Sequence, residues 1–252
     1  MALDQLLDVV KVLGGAMGGI GFKSLFFEPW RSDILLRRKY AARLWVATEE
    51  LRVHMKQVAR DIQNPFSDQY DALLKIPVND FQGRPDWFVK RGYYTMITAY
   101  KIAVVAAWLQ IYLEALFFSP YWGTKSFLMD LYGKSHKVKL AFSTGTCLWY
   151  DYFEGIGDKI VVRGPNSLRP LSFAEFCKNY YTDDQFRGFM DQTHMFIHLM
   201  ARKHQGDTQQ MMFALKEVSK FLEKKGMISE EALKQIGIES KPDIDTNKAK
   251  IP

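Results

Sequence analysis

The sequence predicts a mainly α protein: a single-domain helical bundle with a central apolar helix and one small β-hairpin. Residues 31–62 carry apolar side chains at alternating spacings of three and four, as one face of a helix does. Residues 97–118 are apolar on nearly every face, as in a helix at the centre of a fold. Only residues 160–171 combine a β-branched run with turn residues, so they predict the hairpin.

The chain divides into three predicted parts. A length of 252 residues with 48% apolar side chains suits one large core with appendages. We expect residues 1–28 to form a glycine-rich anchor or docking helix and residues 29–237 to form the helical domain. Residues 238–252 lack an apolar face, so we expect a disordered tail.

Two long helices are predicted in the first half of the domain. Pro29 and Asn64-Pro65 bound the first helix, because proline disfavours a helical conformation in the residue before it. Pro85 opens the second helix, which we expect to continue without a break to about Phe118. The longest uncharged apolar run in that helix is too short for a bilayer span of roughly 20 residues, so the core position is favoured.

Shorter helices are predicted around the hairpin. One covers Lys125 to about Ser143, and another begins at Phe173, where Ser172 and Glu175 have the spacing of a reciprocal cap. Two more begin near Asp183 and Asp207, the second with an apolar stripe at residues 211, 215, 218 and 222 and an end at Gly226. A last short helix is predicted from Ser229 to Gly237.

The opening stretch VLGGAMGGIGFKS is the strongest candidate for a docking element. Gly14, Gly15, Gly18 and Gly19 form two overlapping pairs of small residues four apart, which let another backbone approach closely. A phosphate-binding loop is excluded by spacing, since Phe22 separates Gly21 from Lys23. We expect residues 5–27 to contact a membrane or a partner helix, and the stretch alone leaves both open.

The charge of the chain is concentrated in the first long helix. Of the formal net charge of +6, most comes from residues 31–60, which hold eight basic and three acidic side chains. Because this helix also carries an apolar stripe and no aromatic interleaving, nucleic-acid binding is not favoured. If residues 5–27 cross a bilayer, the basic cluster from Arg31 places the domain on the cytoplasmic side.

Two sets of residues could bind zinc or iron. Asp191, His194 and His198 are spaced three and four apart, so a helix projects them from one face, and two imidazoles with a carboxylate are a common ligand set. Glu50 and His54, four apart on the basic helix, could complete the site if the two helices met. The alternative is that these are ordinary surface or half-buried histidines, since Arg202 and Lys203 indicate a polar outer face nearby.

The sequence gives weaker support for an anion-binding turn and for a reactive cysteine. Arg163 and Arg169 flank a turn that contains Ser167, so they could bind an anion, or they could simply be solvated hairpin ends. Cys147 and Cys177 are too few for a disulfide framework and show no sign of activation, which favours small buried thiols in a reducing intracellular compartment.

The order of elements resembles a group of uncharacterised helical proteins that often begin with a single membrane-anchoring segment. The residues that carry the resemblance are ATEELRVHM, the long apolar helix, AFSTGT and VVRGPNSLRPLS. It implies that residues 5–27 touch a membrane and implies no reaction. The function predicted from the sequence is therefore a non-catalytic membrane-associated or scaffold protein, which could form homo-oligomers. The alternative is a metal- or cofactor-binding enzyme that uses the Asp191 face.

Overall fold

Eight helices and one hairpin make up the part of the chain that the computed structural model describes, namely residues 28–64, 73, 75, 84–117, 124–143, 150–164, 167–203 and 205–228. The predictions for residues 1–27, Ser229 to Gly237 and 238–252 lie outside these residues. In chain order the elements are α1 (Glu28–Ile62), α2 (Arg84–Lys90), α3 (Tyr93–Phe117), α4 (Thr124–Ser143), α5 (Tyr150–Ile160), β1 (Val161–Gly164), β2 (Ser167–Pro170), α6 (Phe173–Thr182), α7 (Asp184–Lys203) and α8 (Gln205–Lys224).

The predicted mainly α class with one hairpin is confirmed. Strands β1 and β2 pair antiparallel, with Val161 opposite Pro170 and Gly164 opposite Ser167. Ser172 caps α6 as predicted, since its hydroxyl accepts from the Glu175 amide while the Glu175 carboxylate accepts from the Ser172 amide. Gly226 adopts the predicted left-handed conformation after α8, with φ of 64°.

Helix α3 lies at the centre of the bundle. It packs against α1, α2, α4, α5, β2, α6 and α7, which explains why its side chains are buried on several faces. By length and composition, Tyr93–Leu116 is the one helix in the described ranges that could cross a membrane, but 67% of its apolar window is buried within the protein. That burial is typical of a core helix.

The prediction of one unbroken helix from Pro85 to Phe118 is wrong at Gly92. The amides of Arg91 and Gly92 both donate to the carbonyl of Trp87, which ends α2, and α3 begins at Tyr93. A Cβ atom at Gly92 would lie 2.2 Å from the Trp87 ring, so this close turn requires glycine.

Helix α5 is an element that the sequence did not predict, because Gly155 and Gly157 lower its intrinsic helix propensity. Gly157 lets α5 approach α3 closely, since a Cβ there would lie 2.8 Å from Gln110 Oε1 and 3.0 Å from the carbonyl oxygen of Ala106. Tertiary packing therefore overrides local propensity in this helix.

Candidate functional site

Asp191, His194 and His198 are buried. The prediction that their side of α7 is a polar outer face is therefore wrong. Tyr180 of α6 donates its hydroxyl hydrogen to Asp191 Oδ1 at 2.6 Å, and His194 Nδ1 lies 3.5 Å from the same oxygen. The His194 ring also packs on Phe88, with ring centroids 4.3 Å apart. Aromatic neighbours from α2 and α6 thus enclose two of the three predicted ligands.

His198 is directed toward a backbone carbonyl. Its Nδ1 lies 3.4 Å from the oxygen of Leu73, and because a carbonyl only accepts, the hydrogen belongs to Nδ1. Burial lowers the pKa of His198, and the Leu73 carbonyl opposes that effect only in part.

Glu50 and His54 face α3. Lys101 Nζ lies 3.1 Å from Glu50 Oε2, and His54 Nε2 lies 2.7 Å from Thr98 Oγ1. Among all the residues that the structure describes, no three His, Cys, Asp or Glu side chains converge closely enough to hold a metal ion. The structure therefore does not bring the two predicted sets together as a zinc or iron site.

The arginines of the hairpin are occupied by carboxylates. Arg163 lies 3.0 Å from Glu114 on α3 and 3.3 Å from Asp158 on α5. Arg169 forms two hydrogen bonds with Glu175, and these bonds hold the pKa of that carboxyl far below its usual range. An anion would have to displace these partners, and the side chain of Ser167 lies outside the described residues.

The thiol of Cys177 is half-buried, and burial raises its pKa. A raised pKa lowers the fraction of thiolate, which is the nucleophilic form. This agrees with a structural thiol. Cys147 and the four glycines at positions 14, 15, 18 and 19 lie outside the described residues.

One face of α4 exposes large apolar side chains. Met129 is 62% exposed, Tyr132 is 51% exposed and Leu140 is 45% exposed. Their spacing of three and eight puts them on one side of the helix, together with three other exposed residues. We call the six residues the α4 face: Lys125, Met129, Tyr132, Gly133, His136 and Leu140.

The α4 face is neutral to positive. None of its six residues is acidic, and the nearest carboxylate on the helix, Asp130, lies 3.3 Å from Lys225 of α8. On the side that packs against α8, Lys134 lies 2.7 Å from Glu217. Asp130 and Glu217 are therefore both paired with lysines.

The first residues of the α4 face lie toward the end of the bundle where α1 starts. Helices α1 and α3 are antiparallel, since Glu50 meets Lys101 while Tyr40 meets Trp108, with ring centroids 6.2 Å apart. The start of α1 therefore lies beside the end of α3. Residues 1–27 join the domain there.

Helix α8 packs against both α1 and α4, and its contacts with α1 lie near the middle of that helix. Its Glu223 accepts a hydrogen bond from Trp45 at 2.8 Å, and its Ser219 meets Thr48 one turn further along α1. Because Lys225 of α8 pairs with Asp130 while Lys134 pairs with Glu217, α4 begins on the side of the bundle that faces the start of α1. The first residues of the α4 face therefore lie toward the end of the bundle where α1 starts, and the face runs from there along α4 to Leu140.

The α4 face was missed in the sequence, although a signal was present. The buried stripe of α4 is already complete, with Phe127, Leu131, Val138 and Phe142 directed into the core. Met129, Tyr132 and Leu140 are left over from that stripe at helical spacing. A helix with one complete core stripe and a second apolar face predicts a further contact surface.

Comparison with protein-family models, with curated proteins and with solved structures finds no match for this chain.

Proposed function

We propose that this protein is a non-catalytic component that docks on an anionic membrane surface. Residues 5–27 supply an anchor and the α4 face supplies a second contact. The observation that carries the proposal is the exposure of Met129, Tyr132 and Leu140 along one helix face that has no carboxylate.

The chemistry of the α4 face suits the interface between water and lipid. Met129 and Leu140 offer apolar area whose removal from water is worth about 25 cal/mol per Å². Tyr132 combines an apolar ring with a polar hydroxyl, a pairing that is enriched where headgroups meet acyl chains. Lys125 at the start of the face can reach anionic headgroups while its methylene stem stays on apolar surface.

Further positive charge lies at the same end of the bundle. Arg38 and Lys39 are exposed on the half of α1 that begins there. Basic residues next to an anchoring segment are each worth about 1 kcal/mol of attraction to an anionic leaflet. If residues 5–27 cross the bilayer, these basic residues also favour the cytoplasmic side for the helical domain.

Sedimentation with lipid vesicles tests the proposal. We expect the full chain to sediment with vesicles that contain phosphatidylserine and to sediment less with vesicles of phosphatidylcholine alone, because the docking end is basic. Changing Met129→Gln and Leu140→Gln together should weaken binding by about tenfold, the factor that corresponds to 1.4 kcal/mol.

The matched control changes two other exposed apolar residues. Val53→Gln and Tyr93→Gln remove similar exposed apolar area, but from α1 and from the opposite end of α3. Because neither residue belongs to the α4 face, this double variant should leave vesicle binding unchanged. Equal loss in both double variants would contradict docking through the α4 face. Absence of binding to either kind of vesicle would contradict a membrane partner. It would favour a partner protein as the molecule that binds the α4 face.

A deletion separates the two contacts. Removal of residues 1–27 leaves α1 from Glu28 onward, and we expect it to weaken vesicle binding further than the α4 substitutions do. Unchanged binding after the deletion would contradict the anchor role of residues 5–27.

A further inference from the structure

A cleft of about 270 Å³ opens between α3, α4 and α5. Leu109 and Leu113 of α3 and Phe153 of α5 make an apolar wall, while polar side chains from all three helices face the same space. Pockets for drug-sized ligands occupy about 300–1,000 Å³, so this cleft fits a smaller molecule.

Lys139 of α4 lines this cleft and is almost completely buried. Its side chain is 6% exposed, and it is paired with Glu154 of α5, whose side chain is 54% exposed. Burial lowers the pKa of Lys139, and the negative charge of Asp151 opposes that effect only in part. A lowered pKa increases the fraction of free amine, which is the nucleophilic form of lysine.

Ser135 lines the same cleft one helical turn before Lys139. It is 1% exposed, and its Oγ makes no hydrogen bond to any of the described residues. A buried hydroxyl without a partner costs about 1–3 kcal/mol, so a polar atom of a ligand that reached Ser135 would recover that cost.

The charges around the cleft disfavour an anionic ligand. Three carboxylates line it, from Glu114, Glu154 and Asp158, against the ammonium of Lys139 and the guanidinium of Arg163, which bridges Glu114 and Asp158. One negative charge is therefore in excess. A small ligand with an uncharged polar group and a short apolar body suits these surroundings best.

We infer that Lys139 forms an imine with a small uncharged aldehyde that enters this cleft. The inference is independent of membrane docking. It rests on the cavity, its apolar wall, the buried lysine and the hydroxyl of Ser135 one turn away.

The reaction is an ordinary condensation. The Lys139 ammonium passes a proton to the Glu154 carboxylate, and the free amine attacks the carbonyl carbon to form a C–N bond. The former carbonyl oxygen takes up a proton, and we assign to Ser135, which lines the same cleft, a hydrogen bond donated to that oxygen. Loss of that oxygen as water, with loss of the second nitrogen proton, leaves the C=N bond, so the balance is amine plus aldehyde to imine plus water.

Reductive trapping with butanal tests the inference on the full chain. Cyanoborohydride converts an imine into a stable butyl-lysine, which peptide mass spectrometry locates. The matched control is Lys137, which is exposed on the same helix. We expect butanal at limiting concentration to label Lys139 several-fold faster than Lys137 near pH 7, and glyoxylate, which carries a negative charge, to show no such preference.

Filling the cleft supplies a second test. Leu113→Trp leaves Lys139 in place and occupies the space beside it, so the preference for Lys139 should be lost, whereas Leu113→Met should retain it. Labelling of Lys139 no faster than Lys137 in the wild-type chain would overturn the inference. The ion pair of Lys139 and Glu154 would then serve only to link α4 and α5.

Discussion

His54 of α1 and Thr98 of α3 form a hydrogen bond of 2.7 Å in the interface of the two longest helices. Thr98 uses its own hydroxyl hydrogen to donate to the carbonyl of Tyr94 at 2.8 Å, so its oxygen accepts from His54. The hydrogen of the neutral imidazole is therefore on Nε2. A residue that the sequence suggested as a metal ligand joins two helices.

We expect His54 to make the protein less stable as the pH falls below 6.5. Burial is the main cause that lowers its pKa from 6.5 to about 4, with Lys101 adding to the effect. Between these values the unfolded chain binds a proton that the folded chain does not. The contribution of His54 to the free energy of unfolding is therefore fully present above pH 6.5 and is lost on acidification toward pH 4. The lowered pKa of His198 acts in the same direction.

Urea denaturation near pH 7 and near pH 5 measures this effect. The wild-type chain should lose about 1–2 kcal/mol more than His54→Gln over that interval, after allowance for solvent screening. An identical loss in the two proteins would show that His54 does not titrate as its surroundings indicate.

Asp191 should stabilise the protein without any metal. Asp191→Ala removes the acceptor of the Tyr180 hydroxyl inside the core, at an expected cost of about 2–4 kcal/mol in the free energy of unfolding. Tyr180→Phe, which removes only one hydroxyl, should cost less. A chelator such as EDTA should leave Tm unchanged in the wild-type chain, whereas a lower Tm on chelation would favour the zinc or iron hypothesis.

Two glycines should respond to alanine in opposite directions. Gly157→Ala should destabilise the protein by about 1–2 kcal/mol, because the new Cβ would press on α3 at the Ala106 carbonyl. Gly133→Ala should stabilise it by about 0.5–1 kcal/mol, since nothing lies within 4 Å and alanine is the better helix former. Thermal denaturation compares the two, and destabilisation by both would contradict the open surroundings of Gly133.

Periodicity predicted most of the helices because each buries one continuous stripe. The apolar stripe of α8 at Met211, Leu215, Val218 and Leu222 is buried as expected. The structure also explains the two charged residues within the apolar part of α3, which the sequence alone did not. Lys101 pairs with Glu50 of α1 and Glu114 pairs with Arg163 of β1, so each marks the place where a neighbouring element packs.

The candidate sites were less predictable, because they depend on which helix covers which face. Histidines at helical spacing look the same in sequence whether they bind a metal or pack in a core, and only the positions of Phe88 and Tyr180 reveal that His194 is enclosed. Lys139 likewise appears in sequence as one of several lysines on α4. Its burial follows from the packing of α5 against α4. The sequence did not predict α5, because its glycines lower the helix propensity.

The most direct test of membrane docking is hydroxyl-radical footprinting of the full chain with and without phosphatidylserine vesicles. Tyr132 on the α4 face is 51% exposed and Tyr93 at the opposite end of the bundle is 59% exposed, so the two tyrosines start from similar reactivity. We expect vesicles to protect Tyr132 and Met129 from oxidation while Tyr93 stays reactive. Equal protection of Tyr132 and Tyr93, or protection of neither while the protein is bound, would contradict docking through the α4 face.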